Sequence, residues 1–215
     1  MKFYDFFRSS SAHRVRIALN LKNVDCDWER VRITENEHLA PSYLALNPLG
    51  IVPTIVDDSI VIPQSIAIIE YLNELFPAPP LLPDTPIGRA RVRSIALSIA
   101  CETHPFSVVR VTNFLSGDLG IDDDGVQRWC LHWVNTGLKA AEYLLTSSSQ
   151  TGKFCHGDAP TIADLTLVPQ AFNAITRFKI DIEKDYPEIN RIYENCQKIP
   201  EFANAAPNRQ PDAKA

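Results

Sequence analysis

The sequence predicts an α/β domain followed by an all-α domain. Every strand-like segment precedes residue 77, and only helix-like patterns follow residue 86. Between them, residues 77–86 contain five prolines in ten positions. Because proline fits neither a helix interior nor a central strand, this segment is predicted to be a stiff connection. We therefore expect a first domain at residues 1–82 and a second domain at residues 83–215.

Composition limits the classes of function. The chain has 215 residues, of which 45% are hydrophobic, and a formal net charge of −5. A net negative chain without a basic stripe is not expected to bind nucleic acid. An uninterrupted apolar run of about 18 residues is absent from the sequence, so no membrane span is expected.

Cysteine usage indicates a reducing environment. The five cysteines stand apart, without a C-x-x-C pair and without histidines at metal-ligand spacing beside them. This pattern predicts free thiols and no metal site. Since the first residues also lack the pattern of a signal peptide, we expect a cytoplasmic protein.

The first elements follow a β-α-β order. Residues 3–7 form a short apolar run, residues 13–22 have helical periodicity, and residues 26–33 alternate between apolar and polar side chains. This order predicts two parallel strands that the helix connects with a right-handed crossover.

The rest of the first domain predicts a hairpin and a helix. Residues 35–46 are polar with weak helical character and lead into a turn at 47–50. Residues 51–62 are typical of two short strands around an Asp-Asp-Ser turn, hence of an antiparallel hairpin. A helix then begins near Ser65, which suits its N-cap, and ends before Pro77.

The second domain begins with two long helical segments. Residues 87–115 predict one helix with a kink at His104-Pro105, where proline removes a backbone donor. Residues 125–145 predict another helix, with Trp129, Trp133, Leu144 and Leu145 towards the core.

A capping pattern marks the next helix. Thr161 and Asp164 have the spacing of a capping box ahead of an apolar run, so Asp164 is expected to fold back on the helix start and take no part in chemistry. Residues 186–199 predict a further helix, and residues 204–215 a polar tail.

Three serines, Ser9, Ser10 and Ser11, lie where the first strand ends and the first helix begins. A helix N-terminus offers unpaired backbone N–H groups and the positive end of the helix dipole, and Arg8 adds a cation. The junction therefore suits an anion. A plain N-cap explains the same serines, and the stretch alone leaves both interpretations open.

Two other positions in the first domain suit ligand binding. Pro53 holds Val52 in an extended conformation, so Val52 is predicted to present free backbone N–H and C=O groups. An ordinary edge-strand proline is the alternative interpretation. At the second helix N-terminus, a cap explains Ser65 but does not explain the neighbouring Gln64.

The layout and these motifs resemble the zeta class of cytosolic glutathione transferases. The matching segments are 8–19, 47–53, 64–72, 157–164, 167–170 and 209–212, so the resemblance covers essentially the whole chain. It implies a thioredoxin-like first domain, an all-α second domain, glutathione as cofactor and a homodimer.

The resemblance assigns glutathione contacts to the first domain. It implies that Pro53 is a cis-proline and that Val52 pairs its backbone with the cysteinyl unit of glutathione, as an added strand does. Gln64 and Ser65 are implied to hold the γ-glutamyl end, whose carboxylate suits a helix N-terminus.

Two histidines are assigned by the resemblance alone. His38 lies where the family contacts the glycyl end of glutathione. His104 lies on the long helix, at a position that often reaches the bound tripeptide. Without the resemblance, both would be interpreted as bystanders.

A serine at the first junction is expected to stabilise a thiolate. Lowering a cysteine-like pKa from about 8.5 to about 6.5 requires roughly 2.7 kcal/mol of preference for the anion. A helix N-terminus supplies about 0.3–1 kcal/mol, and a hydrogen bond to a charged group adds about 1.5–3 kcal/mol. One hydroxyl is therefore needed, and Ser10 is the first candidate, ahead of Ser9 and Ser11.

The reaction implied by the resemblance is cis–trans isomerisation of a maleyl diacid, maleylpyruvate or maleylacetoacetate, by reversible thiolate addition. The carboxylates of such a substrate match arginine, and Arg8 and Arg177 are the expected contacts, with Arg110 a weaker candidate. Single arginines are otherwise common in surface salt bridges. Many zeta members carry cysteine at the position of Ser11 and an aromatic residue at that of His13, and the histidine resembles the maleylpyruvate isomerase branch.

Two other functions stay open. The chain could be a glutathione S-transferase that conjugates or dehalogenates small electrophiles, or a non-catalytic binding protein with the same fold. The non-catalytic alternative predicts loss of the serine junction or of Gln64-Ser65, and both are present. The arginines favour a dicarboxylate over an apolar electrophile.

Overall fold

The computed structural model describes residues 1–214, which fall into two compact units. The first unit comprises Met1–Leu81 together with the described residues from Gln197 onward, and the second comprises Leu82–Cys196. The domain boundary at residue 82 stays a prediction. The structure adds that the last segment of the chain belongs with the first unit.

The first unit contains a four-stranded sheet in the order β2-β1-β3-β4. Its strands are β1 (Lys2–Asp5), β2 (Asp27–Arg30), β3 (Thr54–Asp57) and β4 (Ile60–Pro63). β1 and β2 are parallel, and β3 is antiparallel to both β1 and β4. The predicted parallel pair and the predicted hairpin are thus confirmed.

Three α-helices accompany this sheet along the first 81 residues. They are α1 (Ser10–Leu21), α2 (Pro41–Leu44) and α3 (Ser65–Leu75). The weakly helical segment at 35–46 becomes α2 together with the 3-10 turns Ile33–Glu35 and Glu37–Leu39. Short helical turns form here because the segment is too polar to bury a continuous face.

The second unit is helical throughout its regular structure. Its α-helices are α4 (Pro86–Glu102), α5 (Val109–Asn113), α6 (Asp123–Thr146), α7 (Ile162–Thr176), α8 (Ile182–Asp185) and α9 (Pro187–Gln197), the last of which ends one residue inside the first unit. No helix in the described part of the chain combines the length and apolar character that crossing a membrane requires.

The segment 87–115 is more broken than the predicted kinked helix. α4 stops at Glu102 and is followed by the 3-10 turn His104–Ser107, by α5, and by a π-helical turn at Phe114–Asp118. Thr103 leaves the helical conformation at φ −121° and ψ −62°, and its hydroxyl donates to the Ser98 carbonyl at 3.0 Å. Pro105 then cannot donate a helical hydrogen bond, so the chain starts a new element instead of bending.

The core face of α6 agrees with the prediction at Leu145 and differs from it at the tryptophans. Its buried residues are Cys130, Val134, Leu138, Ala141 and Leu145. Trp133 is only half-buried, and Trp129 is 36% exposed with its indole N–H donating to the Phe106 carbonyl at 2.8 Å. The core position predicted for Trp129 is therefore wrong, because the i, i+4 stripe of the helix runs one residue further along the chain.

The capping box at the start of α7 is confirmed. Asp164 is fully buried, and its Oδ2 accepts from the Thr161 amide at 2.8 Å and from the Thr161 hydroxyl at 2.9 Å. Its Oδ1 accepts from the Cys155 amide at 2.8 Å. The carboxylate thus joins the preceding loop to the helix start, as expected of a structural residue.

The segment predicted as a polar tail is folded over its described residues. After α10 (Pro200–Ala205), the chain forms 3-10 turns at Pro207–Arg209 and Pro211–Lys214. Gln210 is 8% exposed and donates to the carbonyls of Asn204 at 2.9 Å and Ala206 at 3.0 Å. Local hydrogen bonds of this kind order a segment whose composition alone predicts none.

Arg16 joins three parts of the first unit. It is 1% exposed, and its Nη1 donates to both carboxylate oxygens of Asp5 at 2.8 and 3.0 Å. Its Nε donates to the Ala205 carbonyl at 2.9 Å and its Nη2 to the Phe7 carbonyl at 3.0 Å. Burial raises the pKa of Asp5 and lowers the pKa of Arg16, while their mutual attraction opposes both shifts. The pair therefore fixes α1 against the end of β1 and against α10.

His13 should make the stability of the protein fall in acid. Its side chain is 1% exposed, and burial, then Arg16, then Arg14 hold its pKa well below the ordinary value. The unfolded chain takes up a proton here near pH 6.5, whereas the folded chain does so only at lower pH. The free energy of unfolding should therefore decrease below about pH 6.5, by up to about 1.4 kcal/mol per pH unit.

His13→Phe removes this titration and should flatten the profile between about pH 6.5 and pH 5. Urea denaturation at a series of pH values measures it. Gln127→Ala, at an exposed position of α6 without a titratable side chain, should keep the wild-type slope. A His13→Phe profile as steep as that of the wild type would contradict the assignment.

Candidate active site

The N-terminus of α1 contains the three serines, and the structure separates their roles. Ser9 is the N-cap, with extended backbone and a hydroxyl that accepts from the Ala12 amide at 3.2 Å. The plain-cap interpretation thus holds for Ser9. Ser10 begins the helix and is 6% exposed, while Ser11 is half-buried. The first turn contains no acidic residue, so the positive end of the helix dipole is uncompensated there by α1 itself.

The Val52–Pro53 bond is cis, as the resemblance implied. Within residues 1–214, the backbone N–H and C=O of Val52 have no hydrogen-bond partner. This agrees with the free groups predicted at Val52. A backbone with both groups free beside a sheet can pair with an extended peptide.

A buried polar network lies directly before Val52, and the sequence analysis missed it. The Ile51 carbonyl accepts from the Tyr43 hydroxyl at 2.7 Å and from the Asn47 amide at 2.8 Å. Thr54 Oγ1 lies 3.1 Å from the Tyr43 hydroxyl and 3.2 Å from Asn47 Nδ2. Asn47 stands in a segment that was interpreted as a turn, and the turn pattern does not show that its side chain reaches Ile51 and Thr54. The network holds the peptide on both sides of Val52–Pro53.

The N-terminus of α3 differs from the prediction by one residue. Gln64, not Ser65, is the N-cap, and its side chain makes no capping hydrogen bond. Its backbone lies at φ 74° and ψ 118°, a region that a residue with a side chain rarely adopts. Such strain is typical of ligand-binding positions that the surrounding structure enforces. Ser65 is the first helical residue and is 5% exposed.

Arg14 extends from α1 to the N-terminus of α3. It is 2% exposed, and its Nη1 donates to Ser65 Oγ at 3.2 Å. The contact brings the site residues of α1 and α3 together. The sequence contained no signal for it, because an arginine in a helix usually extends to solvent.

His38 lies in the turn Glu37–Leu39 and is half-buried. Its Nδ1 has no hydrogen-bond partner among residues 1–214, and burial lowers its pKa. The His38 carbonyl lies close to Gly50, where an added Cβ would approach it to 3.1 Å. Since Gly50 also has φ +58°, only glycine fits this approach without strain. The turn therefore stays next to the segment that leads to Val52.

The second unit brings Arg177 to the turn that contains His104. Arg177 is exposed, its Nη1 donates to the Ser107 carbonyl at 2.7 Å, and its guanidinium lies 4.9 Å from the ring centre of Phe178. His104 begins the turn that ends at Ser107, and Arg110 follows as an exposed residue of α5. Arg177 is thus oriented by a backbone contact and keeps further donors for a ligand.

Arg8 is an exposed residue of the first unit, with its guanidinium 5.1 Å from the ring centre of Phe7. Its predicted role, shared with Arg177, of holding the substrate carboxylates stays a prediction.

Among residues 1–214, no group of three or more histidine, cysteine or acidic side chains is arranged to hold a metal ion. The cysteines Cys26, Cys101, Cys130, Cys155 and Cys196 form no disulfide bond.

Known proteins match this chain over almost all of its length. The family model for the N-terminal domain of glutathione S-transferases matches residues 8–75, and that for the C-terminal domain matches residues 127–204. The maleylpyruvate isomerase of Ralstonia sp is 41% identical over 99% of this chain and 100% of that protein.

Solved structures agree with these matches. A maleyl pyruvate isomerase, described as a bacterial glutathione S-transferase of the zeta class, is 41% identical with a TM-score of 0.94 over 99% of each chain. A maleylacetoacetate isomerase of Methylobacterium extorquens AM1, with bound malonate and glutathione, is 39% identical with a TM-score of 0.96 over all of both chains. The chain therefore belongs to the glutathione S-transferase family and, within it, to the zeta class.

Proposed function

We propose that this protein is a glutathione-dependent cis–trans isomerase of a maleyl diacid, maleylpyruvate or maleylacetoacetate. The observation that carries the proposal is the N-terminus of α1, where Ser10 is buried at the positive end of a helix without acidic compensation. That arrangement suits a thiolate. The substrate class is supported by the relatives described above, which are named as isomerases of these two diacids.

Residues of the first unit fit glutathione as an extended tripeptide. The free backbone groups of Val52 suit the cysteinyl unit, as in strand addition. The N-terminus of α3, with Gln64 and Ser65, suits the γ-glutamyl carboxylate. The partner-free Nδ1 of His38 suits the glycyl end.

Ser10 is proposed to donate a hydrogen bond to the glutathione sulfur. Bound glutathione supplies a thiolate nucleophile that adds reversibly to the conjugated double bond, which permits rotation. The dipole of α1 contributes about 0.3–1 kcal/mol to holding the sulfur deprotonated, and a hydroxyl donor adds about 1.5–3 kcal/mol. Ser10 is the first candidate because it is the most buried of the three serines, where water weakens a hydrogen bond to the sulfur least. Ser9 accepts from the Ala12 amide as the N-cap, and its hydroxyl proton also remains available to a ligand.

Arginines are proposed to hold the substrate carboxylates. Arg177 keeps donors beyond the one bonded to Ser107, and a guanidinium matches a carboxylate in a two-point geometry. Arg8 is proposed as a second contact and Arg110 as a weaker third. His104 is proposed to contact glutathione from the same helical segment as Ser107.

The wild-type protein should show the ultraviolet absorbance of a thiolate when mixed with glutathione at neutral pH. Added maleylpyruvate or maleylacetoacetate should then lose its cis-enol absorbance without net consumption of glutathione. Ser10→Ala should raise the pKa of the bound thiol by about one to two units, because a hydrogen bond to the anion is lost.

Ser9→Ala and Ser11→Ala are the matched controls. Ser9→Ala should mainly lower stability, by about 1 kcal/mol, as the loss of an N-cap does. A thiolate without isomerisation would instead support the conjugating alternative. Absence of a bound thiolate in the wild type would reject the proposal, and a larger pKa rise in either control would reject Ser10.

Arg177→Ala should lower kcat/KM for the diacid by at least about tenfold, since a carboxylate contact to a charged donor is lost. Its affinity for glutathione should stay at the wild-type value. Steady-state kinetics and calorimetric titration measure the two quantities. Lys179→Ala removes a neighbouring exposed cation and should change neither. Unchanged diacid turnover in Arg177→Ala would contradict the role.

We extend the proposal to assembly as a homodimer in the cytoplasm. Each unit has large apolar side chains at its surface, with Ile60 at 56% exposed in the first unit and Ile87 at 72% in the second. Apolar exposure of this kind is typical of interaction surfaces. Light scattering should give twice the 24.1 kDa chain mass, and a monomer at micromolar concentration would contradict it.

The free thiols support a reducing compartment, where fractionation should find the protein.

A further inference from the structure

Arg14 is a buried charged residue to which the proposed mechanism assigns no role. It lies on α1, where Val15 and Ile17 are fully buried, and it is itself 2% exposed. Its guanidinium crosses to α3 and donates to Ser65 Oγ at 3.2 Å. Burying a charged side chain costs free energy, so the burial of Arg14 requires a physical reason.

The contact determines what the Ser65 hydroxyl can do. A guanidinium only donates hydrogen bonds, so Ser65 Oγ is the acceptor. The hydroxyl proton of Ser65 is therefore left to donate, and among residues 1–214 it has no acceptor. A hydroxyl that accepts from a cation is also polarised and becomes a stronger donor.

The charges around Ser65 favour an anion. Ser65 is the first residue of α3, so its hydroxyl stands at the positive end of that helix dipole. The buried guanidinium of Arg14 places a second positive charge next to the same hydroxyl, with Nη1 3.2 Å from Oγ.

We propose that Arg14 is a positioning residue for the γ-glutamyl carboxylate of glutathione, acting through the Ser65 hydroxyl. Arg14 fixes the rotamer of Ser65 and orients its proton towards the carboxylate at the start of α3. This inference rests on the proposed binding of glutathione in the first unit. It predicts that Arg14 controls recognition of this one carboxylate and no other part of the tripeptide.

The test compares two ligands on the full-length protein. One is glutathione, and the other is 4-aminobutanoyl-cysteinyl-glycine, which lacks only the γ-glutamyl carboxylate. Calorimetric titration should show that Arg14→Met weakens glutathione binding by about tenfold, the size of one hydrogen bond to a charged group. Binding of the analogue should change by less than about twofold, because the polarised hydroxyl has no carboxylate to meet.

Two further variants separate positioning from general damage to α1. Val15→Ala removes buried methyl groups from the same helix, so it should lower stability and leave the preference for glutathione over the analogue unchanged. Arg14→Lys retains a cation and a donor, and it should recover part of the lost preference. In the Ser65→Ala background, Arg14→Lys and Arg14→Met should have no further effect on that preference.

Each outcome decides the question. Equal weakening of both ligands by Arg14→Met, or the same loss of preference in Val15→Ala, would overturn the positioning role. If Arg14→Met does not fold, the decision rests on Arg14→Lys and Ser65→Ala, and additive effects of the two would overturn the proposal. Failure of the wild type to bind glutathione at all would reject the proposed function instead, so the two failures are distinguishable.

Discussion

The first unit depends on the buried ion pair between Arg16 and Asp5. A guanidinium taken out of water costs several kcal/mol, and the cost is recovered only when its donors all meet acceptors in good geometry. In this protein they meet the Asp5 carboxylate and the carbonyls of Phe7 and Ala205. These acceptors come from two distant parts of the chain, the end of β1 and α10, so the guanidinium holds α1 against both.

The position of α1 in turn determines the candidate site. With Arg16 anchored on one side, Arg14 reaches the start of α3 two residues earlier on the same helix. The N-terminus of α1 then opens directly after β1, with Ser9 as its cap. Two helix N-termini and the free backbone at Val52 are thus arranged by a helix whose charged residues are buried. A site that must hold a charged peptide benefits from such rigid support, because little is left to order on binding.

Local signals predicted the elements whose causes are local. The capping box of Asp164 depends on residues within one turn, and it was found from the sequence alone. The position of Trp129 depends on which side of α6 packs against neighbouring helices. The periodicity placed the buried face one residue too early, at Trp129 instead of Cys130. The break at Thr103 and the folded end around Gln210 depend on side-chain hydrogen bonds that are local but follow no recognised sequence motif.

The sequence by itself determined the order of strands and helices, the proline-rich connection, the family and the serines at the start of α1. Hydrophobic periodicity, turn chemistry and capping act over a few residues, so they can be recognised in one amino-acid sequence. Only the tertiary structure decided that Ser9 is occupied as a cap, that Gln64 rather than Ser65 is the strained N-cap, and which buried groups support the site. The pairing of Arg14 with Ser65 joins residues 51 positions apart, and such a contact exists only after α1 and α3 have packed.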